Sequence, residues 1–290
     1  MIIERVGGLS TRDFIEHFVA PRRPVVLTDA IHDWPALGRW TPAWFRETWG
    51  DRVVRCRGAK NNAPVKLADY IDSLATSTEA APVPYLRNVN IQTDWPELAA
   101  DIAPRCRFTA DDWLSSRLMP KGWPRVARHL NQLFISGAGT TIPLHYDEWM
   151  MHAFISNVHG EKEFTLFPPD QTPFLYPKDD YYLVSRIPNP YHVDGEAFPL
   201  FAEAKTASIT IGTGESIFLP CGWWHTTRTV SPCISVSSNF VGASNWDSFV
   251  DELCTMRQRL GASRWKTPLI RAYLTATGTL LKLRPGAGHH

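Results

Sequence analysis

Leu144-His145-Tyr146-Asp147-Glu148 is a short polar stretch, at residues 144–148, in which a histidine and an aspartate lie two positions apart. If the stretch is extended, His145 and Asp147 point to the same face, because side chains alternate along a strand. Eighty positions after His145, His225 follows an apolar run at 216–219 that predicts a buried strand ending at a proline. Two imidazoles and one carboxylate leave three positions open on a metal ion, which is typical of non-heme Fe(II) sites. The sequence therefore predicts a metal centre made by His145, Asp147 and His225.

A second His-x-Asp pair, His192 and Asp194, competes for this assignment. It follows the proline-rich segment 187–191, which is typical of a loop, and no lysine on a predicted strand comes soon after it. We therefore favour the first pair and interpret His192 as a loop or surface residue. The terminal His289-His290 is either natural or the remnant of a purification tag, and neither residue is predicted to bind the metal.

The composition limits the classes of partner. The chain has 290 residues with 44% hydrophobic content, enough for one large domain, and its 30 basic and 29 acidic side chains give a net charge of +1. This balance predicts no binding to nucleic acid or to a membrane surface. The five cysteines include no CxxC pair, the start at 1–5 shows no apolar core of signal-peptide length, and no apolar run reaches membrane-spanning length. We expect reduced thiols and a cytoplasmic protein.

The amino-terminal third is predicted to mix helices and strands. Capping signals and apolar spacing predict helices that begin near Thr11, Thr41 and Leu67. Strands are predicted at 24–28, 52–57 and 82–90. From Leu130 onward, apolar runs separated by glycine and proline predict strands at 133–136, 153–158, 164–167, 208–211, 216–219 and 233–236. Short strands with this spacing are typical of a sandwich or a barrel such as a jelly roll.

The pattern returns to helix after Ser244. Residues 244–247 resemble a helix cap, and the apolar positions from Trp246 to Leu260 lie on one stripe. A second helix is predicted after Pro268. Such a pair of helices must bury its apolar faces either on the sheet of the same chain or against a second copy. The sequence leaves both arrangements open, and the second is a homodimer through the C-terminal helices.

Two segments together resemble a known family. The run from Pro143 to Pro169 and the run Gly214–His225 resemble the cupin-like Jumonji-C oxygenases, which include the cupin-8 proteins and the asparaginyl hydroxylase acting on hypoxia-inducible factor. Residues 23–27 and 33–36 extend the resemblance. It implies a mainly β fold, a double-stranded β-helix or jelly roll, with flanking N-terminal α/β elements and C-terminal helices. It also implies Fe(II) as cofactor, with 2-oxoglutarate and dioxygen as co-substrates.

The family pattern carries over residue by residue. The resemblance implies that the iron ligands, and so the catalytic residues, are His145, Asp147 and His225. It implies that 2-oxoglutarate is bound by Lys162, Tyr85 and Asn239. On this basis we expect a cupin-like Jumonji-C catalytic domain over 1–242, with its jelly-roll core at about 82–242, and a helical extension over 243–290.

The family pattern is broken at one position. Family members often carry a threonine three residues before the first histidine to hold the co-substrate, and here that residue is Ile142. Thr141 could replace it only if the strand were shifted by one residue. A separate physical argument concerns Lys162, which is flanked by Phe164 and Leu166. A lysine inside an otherwise apolar strand is costly unless it is paired with an anion. The alternative is an exposed lysine on the outer face of the strand.

The predicted function is hydroxylation of a C–H bond in a protein, peptide or small-molecule substrate, with 2-oxoglutarate converted into succinate and CO2. An N-demethylase uses the same chemistry and the same ligands. A non-catalytic cupin and a 2-oxoglutarate-independent metal enzyme also stay open, because Ile142 departs from the co-substrate pattern. We expect the loops 59–65 and 176–198 to select the substrate.

Overall fold

The computed structural model describes residues 1–56, 63–110, 112–119, 131–259, 261 and 266–283. In these ranges the strands are β1 (Glu4–Val6), β2 (Val25–Leu27), β3 (Val53–Arg55), β4 (Pro64–Lys66), β5 (Leu86–Asn90), β6 (Gln132–Ser136), β7 (His152–His159), β8 (Lys162–Phe167), β9 (Ala207–Ile211), β10 (Ser216–Leu219), β11 (Trp224–Thr229) and β12 (Cys233–Phe240). The α-helices are α1 (Thr11–Phe14), α2 (Ala36–Arg39), α3 (Pro42–Trp49), α4 (Leu67–Ser73), α5 (Ile91–Asp94), α6 (Trp246–Arg259) and α7 (Lys266–Lys282).

Seven strands form the larger sheet, in the order β1-β2-β10-β7-β12-β6-β5. All of its neighbours are antiparallel except the edge pair of β1 and β2. One face of this sheet packs against the N-terminal helices in an apolar core that includes Phe14, Phe45, Phe154 and Phe218. The N-terminal elements therefore close one side of the sheet and leave the other face for the smaller sheet.

The smaller sheet has the order β11-β8-β9 and packs against the larger one. Apolar side chains from both sheets, among them Ala153, Phe164 and Ile217, form the contact between them. The turn that joins β7 to β8 contains Gly160, whose φ is +77°, and a Cβ there would lie 2.0 Å from the carbonyl oxygen of Pro232. Only glycine fits this turn, which carries the chain from one sheet to the other.

The predicted cupin-like fold is confirmed, and the differences lie in particular segments. Each β run predicted after residue 130 forms a strand, but β11 was not predicted and carries His225, which the sequence placed after the end of β10. The stretch around His145 is not a regular strand. It is instead extended backbone with isolated bridges from His145 to Val184 and to His225. The predicted strands 52–57 and 82–90 are shorter, as β3 and β5, and residue 57 lies outside the described residues.

The C-terminal helices form as predicted, although α7 begins at Lys266, before Pro268. Trp246 and Phe249 of α6 pack with Leu274 of α7 in a second apolar core. All five cysteines are buried and free, as expected for reduced thiols. Among the described helices, none has both the length and the apolar character needed to span a bilayer. The division at residue 242 stays a prediction.

Candidate metal centre and its cavity

A cavity of about 380 Å³ lies between the two sheets. Its walls include inward-facing residues of five strands, β6, β7, β8, β11 and β12, since alternate residues of a strand share a face. The larger sheet contributes Phe134, Ile155, Ser235, Ser237 and Asn239. The smaller sheet contributes Lys162, Phe164, His225 and Thr227. The cavity is therefore apolar at its sides and carries polar groups at defined positions, as ligand sites commonly do.

His145, Asp147 and His225 meet at this cavity. One ligand atom from each residue can be chosen such that all three lie within 4.8 Å of one another. Backbone pairing fixes the two histidines, because His145 N–H donates to His225 O at 3.0 Å and His225 N–H donates to His145 O at 2.7 Å. Their ring centroids are 4.3 Å apart. The cross-strand bridge thus brings together two residues that are eighty positions apart in sequence.

The hydrogen bonds of the His145 and His225 rings determine which ring nitrogen is available to bind a metal. His145 Nδ1 lies 2.8 Å from Pro143 O, and His225 Nδ1 lies 3.1 Å from Trp223 O. A carbonyl oxygen only accepts, so each Nδ1 carries the hydrogen and each Nε2 keeps its lone pair. Burial lowers the pKa of His145 to about 3, with His225 contributing in the same direction. The His145 ring is therefore neutral at neutral pH, which is the form that binds metal.

Asp147 supplies the third donor. Its Oδ1 lies 3.9 Å from His145 Nε2. Burial raises the pKa of Asp147, while His225 acts to lower it. A bound cation would supply the missing stabilisation of the carboxylate. Two Nε2 lone pairs and one carboxylate on a cavity wall fit a divalent transition metal with open positions for further ligands.

Lys162 is one of four charged residues that line the cavity, with Arg87, Asp147 and Glu148, and it is only 2% exposed. Its Nζ donates to the hydroxyls of Tyr85 and Ser235, both at 2.9 Å. Burial acts to lower the pKa of Lys162, but Cys233 and Tyr85 raise it, and the net shift is upward. The side chain is thus an ammonium surrounded by neutral groups, and among the described residues it forms no ion pair with a carboxylate. An anionic ligand in the cavity would provide that partner.

The structure brings six of the seven predicted site residues to the cavity, and the exception is Thr141. Ile142 lines the cavity, whereas Thr141 does not, and its backbone bridges to Arg228 on β11. The shift by one residue that Thr141 would need is therefore not made. Asn239 lies on the wall and accepts a hydrogen bond from Ser237 Oγ at 2.8 Å. The role of each residue toward a co-substrate stays a prediction.

Sequence reasoning missed the hydroxyl groups of the wall, which belong to Thr227, Ser235 and Ser237. The signal was present on β12, where Ser235, Ser237 and Asn239 recur at every second position. Such polar alternation on a buried strand indicates a face that is turned toward a polar cavity. No comparable signal marked Thr227.

The other histidines lie elsewhere. His152 is fully buried but does not line the cavity, because its ring accepts from Cys221 N–H at 3.0 Å and donates to Ser244 Oγ at 2.8 Å. His192 is exposed and lies 3.4 Å from Glu79 Oε1, as expected for a loop residue. His289-His290 lies outside the described residues. Of the two predicted substrate loops, the second contributes Tyr181, Leu183 and Val184 to the cavity, and residues 59–62 of the first are not described.

The sequence model of the cupin-like domain family matches residues 11–245. Jumonji C domain-containing protein 5 of Drosophila melanogaster is 28% identical over 250 residues, 81% of this chain and 59% of that protein. Arginine-specific demethylase JMJ20 of Arabidopsis thaliana is 25% identical over 279 residues, 84% of this chain and 59% of that protein. The 2-oxoglutarate and iron-dependent oxygenase JMJD4 of Homo sapiens is 28% identical over 285 residues, 91% of this chain and 67% of that protein. This chain therefore spans little more than half the length of the first two relatives.

Proposed function

The chain belongs to the family of cupin-like domains, and from this membership and the cavity we propose that it is an Fe(II)- and 2-oxoglutarate-dependent oxygenase. It hydroxylates a C–H bond of a protein, peptide or small-molecule substrate and converts 2-oxoglutarate into succinate and CO2. One observation carries the proposal: a His-Asp-His cluster and a buried ammonium open onto the same cavity. A metal site alone would not need the ammonium.

His145, Asp147 and His225 would hold Fe(II), the two histidines through Nε2. The carbonyls of Pro143 and Trp223 keep both rings in the required tautomer and orientation. When bound, Fe(II) with 2-oxoglutarate and dioxygen supplies the oxidising power that turns C–H into C–OH. The backbone bridge between His145 and His225 keeps the two imidazoles in place without help from the ion.

Lys162 would bind the distal carboxylate of 2-oxoglutarate, with Tyr85 and Ser235 orienting the ammonium. Phe134 and Phe164 line the same cavity and exclude water from this contact. A charge-assisted hydrogen bond is stronger in such surroundings than in water. The buried strand residues would thus bind and orient the co-substrate, and the substrate would bind at the mouth of the cavity.

Demethylation of an N-methyl group is the second candidate, and the mouth of the cavity favours it. Tyr146, Glu148 and Tyr181 lie there, and the Tyr181 hydroxyl donates to the Glu148 carboxylate. Aromatic rings and a carboxylate are groups that bind methylated ammonium ions. Hydroxylation of an N-methyl group releases formaldehyde, whereas a stable hydroxylation leaves the added oxygen in the product. Detection of formaldehyde therefore separates the two reactions.

The experiment that tests the function is an anaerobic titration of the apo-protein with Fe(II) and then 2-oxoglutarate. We expect the weak visible charge-transfer band of a 2-oxo acid chelated to iron. Asp147→Ala should abolish it, and Asp194→Ala, in the second His-x-Asp pair, is the matched control that should keep it. Iron binding without the band would support a metal-binding cupin that does not use 2-oxoglutarate. A band that persists in Asp147→Ala would overturn the assignment of the ligands.

We also propose a homodimer through α7. Five exposed apolar residues, four on α7 and one directly after its end, recur at intervals of four and three and form one stripe, made of Leu269, Tyr273, Ala276, Leu280 and Leu283. This is the spacing of a helix-pairing seam. In an antiparallel pair, Leu269 would face Leu280 of the second copy and Tyr273 would face Ala276, so a large side chain meets a small one. The stripe therefore complements itself, as a two-fold interface requires.

The charges beside the stripe are compatible with self-association. Arg271 pairs with Asp251, and Lys282 lies 3.4 Å from Asp247, so α6 of the same chain compensates both cations. Leu280→Glu should convert a dimer into a monomer in analytical ultracentrifugation. Thr275→Glu, which is exposed on α7 but lies off the stripe, should remain a dimer. A monomeric wild type at all concentrations would contradict the proposal.

A further inference from the structure

We propose that Asn245 is a positioning residue of the candidate metal centre, which holds the backbone turn that carries Asp147. The inference rests on the proposed function, because it concerns the ligands of the same ion. Asn245 lies just before α6, in the segment that links the last strand to the C-terminal helices. It is not among the described residues that line the cavity.

The turn after Asp147 has a costly backbone conformation. Trp149 has a φ of 64° and Met150 a φ of 49°, so two successive residues with side chains are left-handed. This region costs about 1–2 kcal/mol per residue for an L-amino acid. Such a conformation persists only where surrounding contacts enforce it. The contacts that enforce it therefore also fix the position of Asp147.

Asn245 provides the most specific of these contacts. Its Nδ2 donates to Met150 O at 2.8 Å, and its Oδ1 accepts from Gly242 N–H at 2.8 Å. The side chain is fully buried, so both polar atoms depend on these partners. One amide thus ties the strained turn to the backbone at the end of β12.

The same turn also contacts the segment that carries the third ligand. Met150 Cε would lie 3.1 Å from a Cβ at Gly222, so the methionine side chain covers this glycine. Gly222 is three residues before His225 and has a φ of +78°. Trp149 packs against the apolar core formed by α6 and α7. The turn is consequently a joint between both ligand-bearing segments and the C-terminal helices.

A metal ion tolerates little displacement of its ligands. Loss of groups that orient ligands typically costs about 10–100-fold in metal affinity. If Asn245 is truncated, the left-handed turn loses its hydrogen-bond donor and can relax, which moves Asp147. We therefore expect Asn245→Ala to weaken metal binding by about 10–100-fold while the three ligands remain in place.

Co(II) is a suitable probe, because its visible absorption reports ligand geometry without turnover. The experiment measures the Co(II) dissociation constant and spectrum of the wild type, Asn245→Ala and Asn245→Asp, at a temperature where all are folded. The aspartate variant keeps the acceptor for Gly242 and removes the donor to Met150, which covers the case in which alanine prevents folding. Thr41→Ala is the remote control, because it removes a comparable bond in which Trp44 N–H donates to Thr41 Oγ1 at 3.1 Å.

Met150→Gly tests the mechanism directly. Glycine accepts the left-handed conformation without the steric cost, so it should restore part of the Co(II) affinity in the Asn245→Ala background and none in the wild type. The double-mutant cycle cancels the lost packing of the methionine side chain. If the wild type and Asn245→Ala bind Co(II) equally, or if the cycle shows no coupling, the positioning role is wrong. If the wild type itself binds no metal, the proposed function fails instead.

Discussion

Replacement of Lys162 by methionine should weaken the binding of the co-substrate without lowering the stability of the fold. Methionine keeps the length and most of the volume of the side chain but removes the ammonium that contacts Tyr85 and Ser235. Truncating one partner of a buried, hydrogen-bonded charge pair costs about 2–5 kcal/mol of binding energy. We take about 3 kcal/mol, which corresponds to a roughly 150-fold higher Kd for 2-oxoglutarate.

The stability of the apo-protein should change in the opposite direction or stay the same. Lys162 is 2% exposed, and the hydrogen-bond partners of its ammonium among the described residues are the hydroxyls of Tyr85 and Ser235 rather than a carboxylate. Replacing a buried charge by an apolar side chain of similar volume is often neutral or stabilising by about 1–4 kcal/mol. Urea denaturation without 2-oxoglutarate measures this change, and its result distinguishes a ligand-binding lysine from one that supports the fold.

The binding assay is isothermal calorimetry on protein loaded with Mn(II). Pyruvate is the matched ligand, because it has the same 2-oxo acid group and no distal carboxylate. Its Kd should be equal for the wild type and Lys162→Met, whereas that of 2-oxoglutarate should differ by about 150-fold. The reasoning is refuted if the variant binds 2-oxoglutarate within a few-fold of the wild type, or if both ligands weaken equally.

Three further predictions concern the surroundings of the site. Burial lowers the pKa of His152 to about 3, so between this value and the unfolded value of about 6.5 only the unfolded chain takes up the proton. The free energy of unfolding should therefore fall by about 1.4 kcal/mol for each pH unit below 6.5. In urea denaturation between pH 6.5 and pH 4, the free energy of unfolding of His152→Gln should depend less steeply on pH than that of the wild type, and an equal dependence would contradict this. Gly214 has a φ of +89° and open space around it, so Gly214→Ala should lower the free energy of unfolding by about 1–2 kcal/mol. Gly160→Ala should lower it further, because the added Cβ also clashes with Pro232 O. Thermal denaturation of both variants measures the difference. Ile142→Thr adds a hydroxyl to the cavity wall, and one hydrogen bond is worth about 0.5–1.5 kcal/mol. The Kd of 2-oxoglutarate should therefore be up to about tenfold lower in Ile142→Thr than in Ile142→Val, since valine has the shape of threonine without the hydroxyl. Equal Kd values would show that this position does not contact the co-substrate.

The fold was predictable where each segment carried its own signal. β7, β10 and β12 contain apolar runs that are bounded by turn residues, and α6 carries an apolar stripe. β11 was missed because its sequence, Trp224-His225-Thr226-Thr227-Arg228-Thr229, has no apolar alternation. Its threonines are buried by pairing with β8 and by the cavity, which are effects of tertiary structure. Propensity is a weak guide where such contacts decide.

The same distinction between local signals and tertiary contacts applies to the site. The cluster of His145, Asp147 and His225 could be predicted because few residue types bind iron, and the spacing and the family resemblance pointed to these three. Lys162 was predictable as a charge in an apolar surrounding. The bond from Asn245 to Met150 joins residues that are 95 positions apart, and nothing in either local sequence indicates it. Contacts of this kind depend on the completed fold and become visible only there.

The register of two strands supports the proposal that the cavity binds a dicarboxylate of one length. In the pairing of β8 with β11, His225 lies opposite Leu166 and Lys162 lies opposite Thr229. The metal ligand and the ammonium thus stand four residues apart along the smaller sheet, about 13 Å between backbone positions. The lysine side chain covers part of this distance, and a five-carbon diacid chelated at one end covers the rest. On the proposed binding mode, a shorter oxo acid would leave the ammonium without an anionic partner, so we expect the strand register to discriminate between 2-oxo acids.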